Sequence, residues 1–100
     1  KIYVGKGIRY FGNIGVAEFL VEAAEVSVGD KLLITGPTTG AEFLTLEEAR
    51  VDLESVQTVK KGQHFSMKST KIRPNDKLYK LVSVEELKKF KGLDIEKKRG

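Results

Sequence analysis

The chain has 100 residues, of which 40% are apolar and 32% charged, values typical of one soluble globular domain with a core of its own. No apolar run is long enough to span a bilayer, and without cysteine there can be no disulfide or thiolate metal site. Residue 1 is Lys, and neither an initiator Met nor a signal peptide is visible. We therefore expect a fragment of a cytoplasmic protein, with no contact to a membrane.

Charge is divided unevenly along the chain. Residues 1–59 hold five basic and nine acidic side chains, whereas residues 60–100 hold thirteen basic and five acidic ones. A basic half attracts polyanions. The asymmetry favours a polyanionic partner.

Alternating apolar residues predict a first strand from Ile2 to Tyr10. Gly5 and Gly7 indicate that this strand is bent, or that another segment of backbone lies close against it. A turn at residues 11–13 leads to a second strand, whose inward residues are Ala17, Phe19 and Val21.

A Gly29-Asp30 turn precedes a third strand from Lys31 to Thr35, which is apolar on both faces, as in a covered barrel strand. The next loop, 36–40, contains two glycines and a proline. One long strand is predicted from Ala41 to about Asp52. Residues 47–50 fit a helix equally well, so both interpretations stay open there.

In the second half, a short crossover turn at residues 56–62 precedes a strand in which Phe65 and Met67 alternate. The sequence Asn-Asp-Lys-Leu at 75–78 repeats Gly-Asp-Lys-Leu at 29–32. Ser83 is a good helix N-cap and predicts a short helix ending at Gly92. The predicted units are therefore an all-β domain over 1–82 and a helix with tail or linker over 83–100.

Together these patterns predict a small closed β-barrel of six or seven strands with a short C-terminal helix. Eight residues are predicted to shape its turns by their backbone freedom or their side-chain hydrogen bonds. They are Gly29, Asp30, Gly36, Pro37, Gly40, Gly62, Asn75 and Asp76.

No motif predicts catalysis. Gly5-Lys6-Gly7 begins a dinucleotide fingerprint but lacks its third glycine, and the 36–40 loop lacks the Lys and Ser or Thr of a phosphate loop. His64 is the sole histidine and alternates away from the core strand residues, so we expect it at the surface. We predict no catalytic residue, no cofactor and no metal site.

Basic side chains between residues 60 and 80 form the main functional signal. If the fold brings them onto one face, they can contact the phosphates of a nucleic acid; otherwise they are a solvated surface. The set is Lys60, Lys61, Lys68, Lys71, Arg73, Lys77 and Lys80.

The order of turns and strands resembles the second domain of elongation factor Tu, and a more specific resemblance is to the C-terminal domain of the U32 family of collagenase-like peptidases. It covers Ile2 to about Val82. Its most specific segments are Ile14-Gly15-Val16-Ala17-Glu18 and Gly36-Pro37-Thr38-Thr39-Gly40. Gly7 and Leu53-Glu54-Ser55 depart from the family pattern, so the hairpin at the latter is expected to be distorted.

The resemblance implies a catalytic domain elsewhere in a longer chain, and some family members are linked to hydroxylation of transfer RNA. We therefore expect an accessory domain that is not itself an enzyme, whose partner is its own catalytic domain. It would position a substrate, either structured RNA such as tRNA or a protein chain. The alternative is a scaffold that docks or oligomerises without touching substrate.

Overall fold

The computed structural model describes residues 1–83, which form ten strands and no helix. The strands are β1 (Ile2–Phe11), β2 (Val16–Val21), β3 (Val26–Ser27), β4 (Lys31–Gly36), β5 (Gly40–Thr45), β6 (Ala49–Val51), β7 (Glu54–Val56), β8 (Thr58–Val59), β9 (His64–Lys68) and β10 (Lys77–Leu81). The all-β prediction is confirmed, with ten strands in place of six or seven. The predicted helix after Ser83 lies outside the described residues.

Eight strands form one antiparallel sheet in the order β5-β4-β10-β1-β2-β9-β6-β7, while β3 and β8 form a separate two-stranded ribbon. β1 lies inside the sheet, between β10 and β2. Its register shifts between Tyr3 and Gly5 and again between Gly7 and Arg9. The strand is therefore irregular at the two glycines, where the sequence predicts a bend.

The sheet is curled, because three residues carry the chain from the edge strand β5 to β6, which is next to the opposite edge strand. β5 and β6 are six strand steps apart in the sheet, a distance of about 29 Å if the sheet were flat. Residues 46–48 alone connect them, and four Cα–Cα steps reach at most about 15 Å. The two ends of the sheet must approach each other.

This crossover corrects two sequence predictions. The single strand from Ala41 to Asp52 is wrong, because β5 ends at Thr45 and a separate strand begins at Ala49. The helical alternative at 47–50 is also wrong. Leu46 accounts for the break: its amide donates to Asp30 O at 2.9 Å, its carbonyl accepts from Gly29 N at 2.7 Å, and its side chain is buried.

The core fills the inside of this curled sheet. The inward positions predicted for β2 and β9 are confirmed, since Ala17, Phe19, Val21, Phe65 and Met67 are all buried. The rings of Phe19 and Phe65, which are direct partners across β2 and β9, stack at 5.7 Å. The buried cluster also takes residues from six other strands and from two loops: Val4, Val26, Leu32, Ile34, Leu46, Ala49, Val59, Ile72 and Leu78.

The hairpin between β6 and β7 is a two-residue turn at Asp52 and Leu53, with φ of 51° and 70°. Positive φ at both central residues is the pattern of a type I′ turn, in which Asn-Gly is favoured. The strands pair in regular register in spite of the sequence departure, and the unusual feature is a leucine in the left-handed region.

Candidate binding surfaces

Three turns of one design hold the loops of this domain. They span Ser27–Asp30, Lys60–Gln63 and Arg73–Asp76, and in each the fourth amide donates to the first carbonyl, at 3.0, 3.1 and 3.1 Å. A side-chain oxygen of the fourth residue accepts from the first amide, at 2.8, 2.8 and 2.9 Å. The third residue always has positive φ. The predicted repeat of the first and last turns is therefore a shared hydrogen-bonded structure.

Asp76 is the anchor of the last of these turns. Its carboxylate is 2% exposed, accepts the Arg73 amide at 2.9 Å and also accepts the Thr39 hydroxyl. A side chain at Gly36 could not be accommodated, because a Cβ there would lie 1.9 Å from Asp76 Oδ1. The β4–β5 loop, which includes Pro37 and is followed by Gly40 at the start of β5, is thereby tied to the loop before β10.

Residues 68–77, which we call the basic segment, run from the end of β9 to the start of β10. Its four cationic side chains are exposed: Lys68, Lys71, Arg73 and Lys77. Its one carboxylate belongs to Asp76, whose side chain is buried, and Glu48 in the β5–β6 connection lies near enough to Lys68 for the two charges to interact. Ile72, which is 2% exposed, packs into the core, and Gly7 N donates to Asp76 O at 2.7 Å. The segment is an ordered, anchored loop of positive charge.

The other predicted contact residues do not lie in this segment. Lys60 and Lys61 are exposed but belong to the turn before β9, about 14 Å of strand away from Lys68. Lys80 is 8% exposed, and its ammonium donates to Glu25 O at 2.8 Å. The structure therefore brings four of the seven basic residues into one loop and separates the remaining three from it.

The one histidine lies at the surface in an ion-pair cluster on the outer face of β1, β2 and β9. Nδ1 of His64 is 2.9 Å from Glu18 Oε2, and Glu18 Oε1 is 3.1 Å from Arg9 Nε. Ser66 faces the same cleft, but no hydrogen bond joins it to His64 within the described residues. The geometry is that of a surface ion pair between Arg9 and Glu18 with a hydrogen bond between Glu18 and His64, and it offers no activated nucleophile. Within residues 1–83, no three metal-ligating side chains are grouped to hold an ion.

An exposed apolar patch beside this cluster escaped the sequence interpretation. It consists of Phe11, Ile14 and Leu53, which are 39%, 62% and 91% exposed. Leu53 stands between two surface clefts of about 340 and 240 Å³, the first reaching Phe11 and the second Ile14. The turn at Leu53, which has positive φ, places this leucine at the surface beside Phe11 and Ile14. A backbone angle of this kind cannot be read from the sequence, so the patch was not predicted.

Charged side chains border the apolar patch. Arg50 Nη2 lies 3.2 Å from Glu48 Oε2, which also accepts the Ser55 hydroxyl at 2.6 Å. The hydrogen bond from Ser55, followed by that from Arg50, lowers the pKa of Glu48. The carboxylate is therefore ionised and paired, so the patch has a border of both signs.

Comparison with known proteins identifies the class of this domain. Two collagenases of Porphyromonas gingivalis are 51% and 49% identical to it over 87 residues, which are 86% of this chain. An uncharacterized protease of Methanocaldococcus jannaschii is 28% identical over 82 residues. These segments are 21%, 24% and 20% of the relatives, so the chain spans about a fifth of the length of the curated relatives it matches. No protein-family model matches the chain.

The fold agrees with the sequence relatives. A crystal structure of the C-terminal domain of a Geobacillus thermoleovorans protein, assigned as a U32 peptidase, matches with a TM-score of 0.74 at 15% identity. The match covers 79% of this chain and 99% of that one. The chain thus belongs to the class of all-β accessory domains. More specifically, it is a C-terminal domain of the U32 peptidase type, which confirms the resemblance found in the sequence.

Within residues 1–83, no helix has the length and apolarity needed to cross a membrane.

Proposed function

We propose that this domain positions a polyanionic substrate, structured RNA such as tRNA, for the rest of its protein. The observation that carries the proposal is the basic segment, in which four exposed cations lie on an anchored loop and the sole carboxylate is buried. Such a loop can contact several phosphates without folding on binding, so little ordering entropy opposes association. The domain itself supplies no catalytic group in this account.

The proposal includes closure of the curled sheet into a small barrel. The ends of the sheet are joined by three residues, and the edge strand β5 faces residues 68–70 across a cleft of about 340 Å³. A closed or nearly closed sheet fixes the basic segment on a rigid support.

The test is a fluorescence anisotropy titration of tRNA with the chain at two salt concentrations. We expect micromolar or weaker binding at about 50 mM salt, and four phosphate contacts predict a loss on the order of 10²-fold at about 200 mM. A basic-segment variant, Lys68→Glu with Lys71→Glu and Arg73→Glu, should lose at least about tenfold in affinity at low salt.

A matched control reverses three exposed lysines elsewhere: Lys31→Glu, Lys60→Glu and Lys61→Glu. Both triple variants have the same net charge, so a difference between them reports location. The control should stay within about threefold of wild type. Equal losses of tRNA affinity in the two triple variants, or no tRNA binding by wild type at low salt, would contradict the proposal.

A second candidate is a scaffold that docks or oligomerises without touching substrate. The observation that favours it is the exposed apolar patch, because apolar side chains with a border of both charges are typical of protein interfaces. Binding by such a surface would respond weakly to salt. Sedimentation of the chain with and without Leu53→Asp separates this candidate from a monomeric RNA-binding domain.

The names of the relatives suggest an activity for the whole protein. Two are called collagenases and a third a protease, so we propose that the full-length protein is a peptidase-family enzyme whose catalytic groups lie in another domain. A protein chain is then the alternative substrate for the positioning role. A peptide that competes with tRNA for the basic segment would be acidic.

A further inference from the structure

A row of apolar side chains crosses four neighbouring strands on the outer face of the sheet. Direct cross-strand pairing sets Phe43 of β5 beside Leu33 of β4, Leu33 beside Tyr79 of β10, and Tyr79 beside Tyr3 of β1. The rings of Tyr3 and Tyr79 meet edge to face at 5.7 Å. We call these four residues the aromatic row.

The aromatic row lies on the face of the sheet opposite the main buried cluster, although Leu33 is itself buried. Its strand neighbours Leu32, Ile34 and Leu78 are members of the buried cluster, whereas Leu33 is not, although it is only 8% exposed. Phe43 is 68% exposed. Because side chains alternate along a strand, the row must point away from the interior.

Lysines flank the row on both sides. Lys31 and Lys1 lie towards one side, where Lys31 Nζ donates to Thr45 Oγ1 at 3.1 Å and Lys1 Nζ stands 4.6 Å from the centre of the Tyr79 ring. Lys77 and Lys6, which are cross-strand partners, lie on the other side. The face is apolar along its centre and carries four lysines at its border, of which Lys6 is paired with Glu22. The excess of lysines over this one carboxylate fits a protein surface with an apolar centre and a border of carboxylates.

We infer that this face is the docking surface for the part of the same protein that precedes Lys1. The inference rests on the identification as a C-terminal domain and does not depend on RNA binding. The chain spans only 21% and 24% of the two collagenases, so most of such a protein lies outside it. Lys1 lies on the Tyr79 ring, so any residues that precede it would begin beside this face. A surface tethered so closely has an effective concentration in the millimolar range.

Cysteine labelling in the full-length protein tests the inference, since the present chain contains no cysteine of its own. Phe43→Cys reports the accessibility of the face, and Lys61→Cys in the turn before β9 is the control, because both native residues are exposed and Lys61 lies outside the apolar patch and the basic segment. Peptide-level mass spectrometry reads the rate at each position. We expect position 43 to react at least about tenfold more slowly than position 61.

A charge variant sharpens the result. Adding Lys31→Glu to Phe43→Cys should speed labelling by at least about threefold through repulsion of the partner's carboxylates, whereas adding Lys61→Glu should not. Equal rates at positions 43 and 61, or slow labelling at both, would overturn the inference. Protection at 43 that disappears on dilution would assign the face to a second copy, and protection that requires added tRNA would assign it to RNA. Loss of tRNA affinity in the basic-segment variant is a separate readout and leaves this test unchanged.

Discussion

The hydroxyl of Tyr3 donates to Glu22 Oε1 at 2.5 Å, and the same carboxylate lies 3.8 Å from Lys6 through its other oxygen. The hydrogen bond to Glu22 is the largest cause, ahead of burial, that raises the pKa of Tyr3 from 10.0 to about 12. The fold therefore favours the neutral phenol. Its contribution to stability is complete below pH 10 and is lost as the pH rises towards 12.

This shift predicts a difference in tyrosine titration. Between pH 10 and about 12, wild type should show less tyrosinate absorbance than Glu22→Gln, by about one of its three tyrosines. Tyr3→Phe should abolish that difference. Identical titration curves for wild type and Glu22→Gln would show that the negative charge of Glu22 does not raise the pKa of Tyr3.

Leu53 combines two unfavourable properties, a φ of 70° and a side chain that is 91% exposed. Glycine suits the second central position of a type I′ turn, so Leu53→Gly should stabilise the domain by about 1 kcal/mol. Urea unfolding measures the change, and Asp52→Gly is a useful comparison at the first position. A lower midpoint for Leu53→Gly would mean that its side chain contributes packing that outweighs the strain.

At the scale of elements, the Ser27–Asp30 turn fixes the start of β4. Gly29 has a φ of 100°, and the Asp30 carboxylate accepts the Ser27 amide at 2.8 Å. Gly29→Val should cost about 1 to 3 kcal/mol because a β-branched residue is strained at positive φ. Asp30→Ala should cost about 1 kcal/mol through the lost hydrogen bond.

Urea midpoints of both variants test this prediction. Gly29 has open space around it, with no atom within 4 Å of an added Cβ, so the cost would come from the backbone rather than from a clash. Gly62→Val, in the second turn of the same design and likewise in open space, should respond as Gly29→Val does. Unchanged midpoints would show that these turns do not hold the fold.

Sequence patterns predicted the elements whose causes are local. Alternation placed Phe19 and Phe65 in the core, and the repeated Asp-Lys-Leu identified the turns before β4 and β10. The break at Leu46 was missed because its cause is distant: the backbone of Leu46 pairs with Gly29 and Asp30, and periodicity within 41–52 carries no trace of that pairing. Short strands such as β3 and β8 depend on each other in the same way.

At the scale of the whole molecule, the seven basic residues that the sequence analysis treated as one set lie in different places in the fold. Lys68, Lys71 and Arg73 lie in the anchored basic segment, Lys60 lies at the far end of β9, and Lys80 is buried. Sequence could supply the residue types and the excess of charge but not this grouping, because neighbours across the sheet come from strands distant in the chain. Lys77, for example, pairs with Lys6.

The number of phosphates neutralised by the basic segment is the most direct measure of the proposed role. A plot of log affinity for tRNA against log salt should have a slope of about −2.8 to −3.6 for wild type, since each of four contacts contributes about −0.7 to −0.9. Lys68→Gln, Lys71→Gln and Arg73→Gln should each reduce the slope by about one contact, whereas Lys60→Gln should leave it unchanged. A wild-type slope near zero, or equal reductions for Lys60→Gln and Lys71→Gln, would contradict substrate positioning by this segment.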